Sequence, residues 1–374
     1  MKHKVSDLLI CVLFCLFLFG MLAGYLFLPH SDFSEKEKRY LTQAPNLTWE
    51  TLLSGQFGEE VETYLADHIP GRDLWVGLAS YYDLASNRQV TKDVYLAEGN
   101  RLVEPPLAEN QAAVTKNMMT INSFATAVGR PVDLMIVPSA GFVLEDTVIG
   151  LHGDYIDDTI IKDIYSLAGE NVVCRDLTQV YTSAEDRTAL YYRTDHHWTS
   201  LGAYTGYAAY MDLLGRQYPA KDSFTVERHG GFYGSTYSRS GLWLIPSEDV
   251  ELWMTETAFT VTNSEVPQPH DGLFYQERLE ELDKYTVYLD GNHGLVRIEN
   301  PEQAGKGKIL VVRDSYANCL GTFLAHSYET VVMVDMRYYK KPVSDLLAAE
   351  DFTDVLICYS LSNFMTDANI IWLR

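Results

Sequence analysis

Lys308-Ile-Leu-Val-Val-Arg-Asp-Ser-Tyr-Ala317 is a short apolar, β-branched run that stops at a charged pair and passes into a helix-prone segment. Runs of this length and texture read as strands buried on both faces of a sheet. Open α/β sheets carry their sites at the carboxyl ends of such strands, and Ser315 stands at this one. There its hydroxyl would sit at the top of the sheet, and its own N–H, at a helix start, would point at a developing oxyanion. An Asp-Ser pair after a strand is also an ordinary helix N-cap. Ser315 therefore needs partners elsewhere before it counts as a nucleophile.

Outward from this segment the texture recurs. Val132-Asp-Leu-Met-Ile-Val-Pro138, Asn171-Val-Val-Cys-Arg-Asp-Leu177, Thr330-Val-Val-Met-Val-Asp335 and Asp354-Val-Leu-Ile-Cys-Tyr359 read as four more buried strands. Helical patterns separate them, notably Thr199 to Leu214, where Leu201, Tyr204, Ala208 and Met211 recur at helical spacing. Apolar strands alternating with helices predict an α/β fold, a parallel sheet covered on both faces in three α/β/α layers. Between about 220 and 300 the chain turns Gly-rich and aromatic, with Thr/Val alternation, and is expected to form a β-rich insertion.

Two other strand exits carry chemistry. Tyr192-Arg-Thr-Asp-His-His-Trp-Thr199 supplies what a serine nucleophile requires, a base for its proton and a carboxylate to orient that base. Asp195 with His197 or His196 fits, since adjacent histidines point different ways and one alone can serve. Trp198 would wall the imidazole or contact substrate, and Thr199 looks like a helix N-cap. No third ligand stands at metal-binding spacing, so neither a metal nor another cofactor is expected. The second exit, Cys358-Tyr-Ser-Leu-Ser-Asn363, offers the Asn363 amide as an oxyanion donor, or more plainly as a turn residue.

Taken together, these blocks resemble an SGNH (GDSL-type) hydrolase whose order has been circularly rearranged, with Asp195 and His197 preceding Ser315. In permuted order, strands 308–313, 330–335, 354–359, 132–138 and 171–177 stand for the first to the fifth. The order and the Asp-x-His spacing are similar to the alginate O-acetyltransferases of the AlgX/AlgJ type. Asp195-His-His-Trp198, Leu289-Asp-Gly-Asn-His293 and Arg313-Asp-Ser-Tyr316 look like the bacterial DHHW family within that group. The resemblance covers roughly 35–374 and implies Ser315 as nucleophile, His197 as base and Asp195 as orienter. Arg313 replaces the usual Gly before Asp-Ser and, with Asn363 and His196, is a supporting candidate.

The remaining sequence bounds the setting. Met1-Lys-His-Lys4 precedes an uncharged apolar run from Leu8 to Leu28, long enough to span a bilayer. Lys2 and Lys4 on one side, against Asp32 and Glu35 on the other, place the body outside the cytoplasm. The expected organisation is a cytoplasmic tip (1–6), a signal anchor (7–29), a helical approach segment (30–90) and a catalytic domain (91–374). A cleaved signal peptide would give the same compartment. With a net charge of −22, nucleic acid is a poor partner. Cys174, Cys319 and Cys358 are scattered and read as small buried residues. Asp67-His68-Arg72 is expected to be salt-bridged, Asp290-Gly-Asn-His293 to form a turn, and Tyr237 and Arg239 to reach over the cleft toward sugar or carboxylate.

The resemblance implies two-step acyl transfer to a cell-wall or secreted polysaccharide, with the acyl donor supplied by a multispanning membrane acyltransferase. The same triad would serve a carbohydrate acetylesterase. A non-catalytic surface scaffold, partnering such an acyltransferase, is the reading that needs no triad.

Overall fold

The computed structural model describes residues 2–86, 88, 90–266 and 268–373. The chain divides into two compact units, 1–92 with 238–244, and 93–237 with 245–374.

In the first unit, helix α1 (Lys2–Phe27) is apolar and long enough over Ser6–Phe27 to cross a membrane, by length and composition, and none of that segment is buried. Helices α2 (Gln56–Asp67) and α3 (Arg72–Ala85) follow. Of the expected Asp67-His68-Arg72 set, Asp67 lies 3.3 Å from Arg72 and also accepts from Arg39 at 2.5 Å, whereas His68 Nε2 lies 2.9 Å from the Thr42 carbonyl instead. Segment 238–244, expected within the insertion, packs in this unit: Trp243 Nε1 donates to the Asp73 carbonyl at 2.9 Å.

The second unit is built on an eight-stranded sheet. Its strands from residue 132 onward, in chain order, are β1 (Val132–Val137), β2 (Val172–Cys174), β3 (Thr225–Phe232), β4 (Glu248–Met254), β5 (Thr260–Asn263), β6 (His270–Asp271), β7 (Leu295–Glu299), β8 (Lys308–Arg313), β9 (Thr330–Val334) and β10 (Asp354–Ser360). The sheet runs β6-β5-β7-β9-β8-β10-β1-β2, and β3 and β4 form a separate hairpin. The five sequence-predicted strands make a continuous parallel block, β9-β8-β10-β1-β2. In permuted numbering that is order 2-1-3-4-5, a doubly wound arrangement with β8 central.

Pleating sends alternate residues of each strand to opposite faces, and both faces are apolar. Ile309, Val311, Met333, Leu356 and Cys358 join one core with helices α6 (Ser200–Leu214) and α7 (Ala317–Leu324). Leu310, Val312, Val332, Val355 and Ile357 join the other with α4 (Gln111–Val128), α5 (Asp157–Ser166) and α8 (Leu361–Thr366). Each fully buried aliphatic side chain contributes about 1.5–3 kcal/mol. Truncating a central one, such as Val311, would cost more because the neighbours cannot collapse into the void.

The 220–300 stretch is β-rich, and part of it extends the main sheet: β7 pairs antiparallel with β9, and β5 with β7. Thr/Val alternation shows a strand's period but not its partner, and the pairing is fixed by strands that lie later in the chain.

Candidate active site

Each element delivers one part of the site. Strand β8 ends at Arg313 and α7 begins at Ala317, leaving Asp314-Ser315-Tyr316 as the turn between them. Asp314 fixes that turn. Its Oδ1 accepts from the Tyr316 N–H at 3.0 Å, while Oδ2 accepts from Ser360 N, Ser360 Oγ and Asn363 Nδ2 at 2.9, 2.7 and 2.8 Å. The ends of β8 and β10 are thereby tied together. Among the described residues the Ser315 N–H has no hydrogen-bond partner.

The Asp195 block reaches the same point from α6. Thr199 caps that helix as expected, accepting from the Gly202 N–H at 3.2 Å. Glu248 of β4 accepts from the Arg193 and Thr194 N–H groups at 2.8 and 2.7 Å, clamping the backbone just before Asp195. His197 Nε2 then lies 2.8 Å from Ser315 Oγ, and its Nδ1 lies 2.5 Å from Asp195 Oδ1. All three residues are buried. With Nδ1–H donated to the carboxylate, Nε2 presents a lone pair to the serine hydroxyl, the tautomer that general-base chemistry needs.

Asp195 is held as a carboxylate. Burial opposes its charge, but His196, His197 and the Ser235 N–H, which donates to Oδ2 at 2.6 Å, keep its carboxyl well below the usual range. This close approach depends on Gly234, where a Cβ would fall 2.2 Å from Asp195 Cβ. The choice between the histidines is one of direction. His196 turns away from Ser315, with Nδ1 2.6 Å from Ser235 Oγ, and burial pushes its pKa down. Asp195, His196 and His197 place ligand atoms within 4.8 Å of one another. As a metal site this set competes with hydrogen bonds already made by both Asp195 oxygens and by His197 Nδ1.

The other candidates divide. Trp198 is fully buried, donates from Nε1 to the Tyr316 carbonyl at 2.9 Å and stacks near Tyr181, so it braces the 314–316 turn from inside the core. The wall on the imidazole is Tyr285, whose ring centroid lies 3.9 Å from that of His197 with planes 12° apart. Tyr237 is buried against Tyr233 rather than reaching over a cleft. Arg239 is exposed and belongs to the N-terminal unit. Asn363 is half-buried, with its amide donating to Asp314.

Arg313 is completely buried, and burial lowers its pKa despite Asp335 at 3.4 Å. Its Nη1 donates to Asn292 Oδ1 at 3.0 Å, and Asn318 Nδ2 donates to the same oxygen at 3.2 Å. Two donors facing one atom fix the amide orientation, because only oxygen can accept both. The Asn292 NH2 therefore points the other way; the residue is exposed, and that NH2 has no protein acceptor among the described residues. Asn292 sits on a turn in which Leu289, Asp290 and Gly291 all have positive φ (57°, 65° and 79°). Two consecutive non-glycine residues in that region store backbone strain, which is held by surrounding contacts. Here Asp290 accepts from Arg278 at 2.6 Å and lies 2.9 Å from His293 Nε2. The turn was legible in sequence; the strain and the amide's direction were not, since both depend on contacts with β8 and α7.

A cleft of about 90 Å³ lies beside the triad, lined by Glu104, Ser139, His196, Tyr316, Ser360 and Asn363 among others. Ser315, His197 and Asp195 line neither this cleft, which reaches their neighbours His196 and Tyr316, nor the wider clefts of about 530 and 620 Å³.

A model of the DHHW protein family matches residues 103–334. The chain is similar to the crystal structure of a DHHW family protein from Eubacterium siraeum, at 21% identity and TM-score 0.65, covering 76% of this chain and 95% of that one. It is also similar to PatB1 of Bacillus cereus, at 19% identity and TM-score 0.63, covering 75% and 99%. PatB1 solved with a sulfonyl adduct matches at 19% identity and TM-score 0.62, covering 75% and 97%. No functionally curated protein sequence matches the chain.

Proposed function

The chain belongs to the DHHW family, and from this and the geometry around Ser315 we propose that it is a serine-dependent acyl-transfer enzyme that O-acetylates an extracytoplasmic polysaccharide. The observation that carries the reading is the single line of contacts from Ser315 Oγ through the His197 ring to Asp195.

In the first step His197 Nε2 takes the Ser315 proton as Oγ attacks the donor's acyl carbonyl. The tetrahedral oxyanion collapses, the leaving group takes that proton from His197, and an acyl-serine remains. In the second step an acceptor hydroxyl gives its proton to His197 as it attacks the acyl-serine; His197 passes that proton to the departing Ser315 Oγ, and the acetyl ester of the acceptor leaves. Asp195 stays ionised throughout and balances the imidazolium. The oxyanion donors we assign are the Ser315 N–H and the Asn292 amide. Asn292 is held beside the 313–318 turn by Arg313 and Asn318, with its NH2 free. Helix dipole and buried guanidinium both favour negative charge there. A cleft of about 90 Å³ suits a short acyl group rather than a long chain.

The setting is part of the same reading. Helix α1 anchors the chain, the body lies outside the cytoplasm, and the donor comes from a multispanning membrane acyltransferase. Esterase activity would use the same steps with water as acceptor. The deciding experiment supplies a chromogenic acetyl ester with and without a glycan acceptor. Acceptor-dependent product carrying the acetyl group supports transfer, whereas release of acetate at the same rate in both assigns hydrolysis. A sulfonyl fluoride should modify Ser315 stoichiometrically; loss of catalysis without modification at Ser315 would sink the triad.

A further inference from the structure

The amino ends of β8 and β9 carry a cleft of about 620 Å³ whose walls belong wholly to the second unit. Residues 216–219, just after α6, form one wall, and the 302–306 loop before β8 forms the other. The buried His326 and Ser327, just before β9, form the floor. Ser315 follows the opposite end of β8, about 20 Å away by the length of that six-residue strand. The cleft is therefore separate from the acyl-transfer site.

Its shape is fixed by the chain's own contacts. Arg216 donates to the Lys306 carbonyl at 3.1 Å and to Asp354 at 2.5 Å, which ties the walls together and balances its charge. The Ser327 hydroxyl lies 2.5 Å from that of Tyr207, and the Gly305 N–H donates to Glu329 at 2.7 Å. Other groups keep unused hydrogen-bonding capacity. His326 is 6% exposed and met edge-on by Phe224 and Phe259, and burial keeps its ring neutral. Neither of its ring nitrogens meets a protein partner among the described residues, nor do the side chains of Gln217, Gln303 and Lys306. A buried polar group left unpaired costs stability, so the imidazole in the floor points to a ligand that completes it.

The lining selects that ligand. A neutral imidazole and two amides can each donate and accept. Lys306 and Glu302 bring one charge of each sign, and Tyr218, half-buried against Tyr207, brings an aromatic face. An anion would meet Glu302, and a cation would meet Lys306. A neutral, hydroxyl-rich ligand satisfies the whole set, because each hydroxyl both donates and accepts. We propose that this cleft is a non-catalytic carbohydrate-binding site for a neutral saccharide of a few sugar residues. On the reading that the acceptor is a polysaccharide, a long chain held there stays at high effective concentration near Ser315.

The test titrates the full chain, in phosphatidylcholine nanodiscs, by saturation-transfer NMR. The probes are neutral tetrasaccharides of glucose, galactose, mannose or N-acetylglucosamine, with tetragalacturonate as the anionic comparison. At least one neutral tetrasaccharide should bind, and Gln303→Ala with Lys306→Ala should weaken it roughly tenfold or more, the worth of two hydrogen bonds. His326→Phe, which keeps an aromatic ring in the floor, should weaken it as well. Both variants should turn over a chromogenic acetyl ester at the parent rate. If no neutral tetrasaccharide binds, if tetragalacturonate alone binds, or if binding survives both variants, the proposal fails. Ser315-dependent ester turnover would leave the enzyme reading standing in each of those cases. Cleft-dependent binding without Ser315-dependent turnover would overturn the enzyme reading and keep the site.

Discussion

Tyr285 lies flat on His197, with ring centroids 3.9 Å apart and planes 12° from parallel, and it comes from a segment almost ninety residues downstream of that histidine. The stacking holds the imidazole between its carboxylate and its serine. It follows that Tyr285→Ala should lower kcat by about tenfold, the worth of one aromatic pair near 1.4 kcal/mol. Tyr285→Phe keeps the ring and should stay within a few-fold of the parent. Steady-state kinetics on an acetyl ester separate the two; equal losses would move the role to the hydroxyl.

The assignment of Asn292 separates it from Asn363. Removing one oxyanion donor typically costs about 10²–10³ in kcat, so Asn292→Ala should lose that much with KM little changed. Asn363 donates to Asp314, and Asn363→Ala should act through the nucleophile turn, lowering thermal stability along with activity. Paired kinetics and melting curves check this. If Asn363→Ala gave the clean kcat loss instead, the oxyanion assignment would belong to Asn363.

Gly234 leaves no room for a side chain beside Asp195. Gly234→Ala should push the carboxylate off the imidazole and cost about 10²-fold in kcat/KM, the penalty of an ångström-scale misplacement. The Ser315 sulfonylation rate should fall with it. Sulfonylation at the parent rate would show that Asp195 does not orient the base.

His326 gives a pH signature away from the site. It is buried between Phe224 and Phe259, and burial lowers its pKa to about 4. The neutral ring is the one that folds, so its contribution to stability is full above the unfolded value near 6.5 and is lost as pH falls toward about 4. The loss amounts to about 3 kcal/mol over that range. His326→Phe should flatten it, as read from denaturant midpoints between those two pH values; an unchanged acid limb would assign the titration elsewhere.

Much was written locally. Each parallel strand of the sheet announces itself by a run of apolar residues, because a strand buried on both faces needs them at every position, and Ser315 stands just past the end of one, whereas Asp195-His-His197 precedes a helix rather than ending a strand. The resemblance implies their roles. Tertiary structure decided what no neighbouring residue encodes. It selected His197 over His196, because direction at adjacent positions depends on what packs around them. It buried Trp198 and Tyr237, since a strand exit or loop sequence does not say which side faces solvent. It joined 260–299 to the sheet, and it aimed the Asn292 amide through contacts with Arg313 and Asn318. Patterning along the chain sets which residues must be inside; the partner each one meets there is settled when distant segments close on one another.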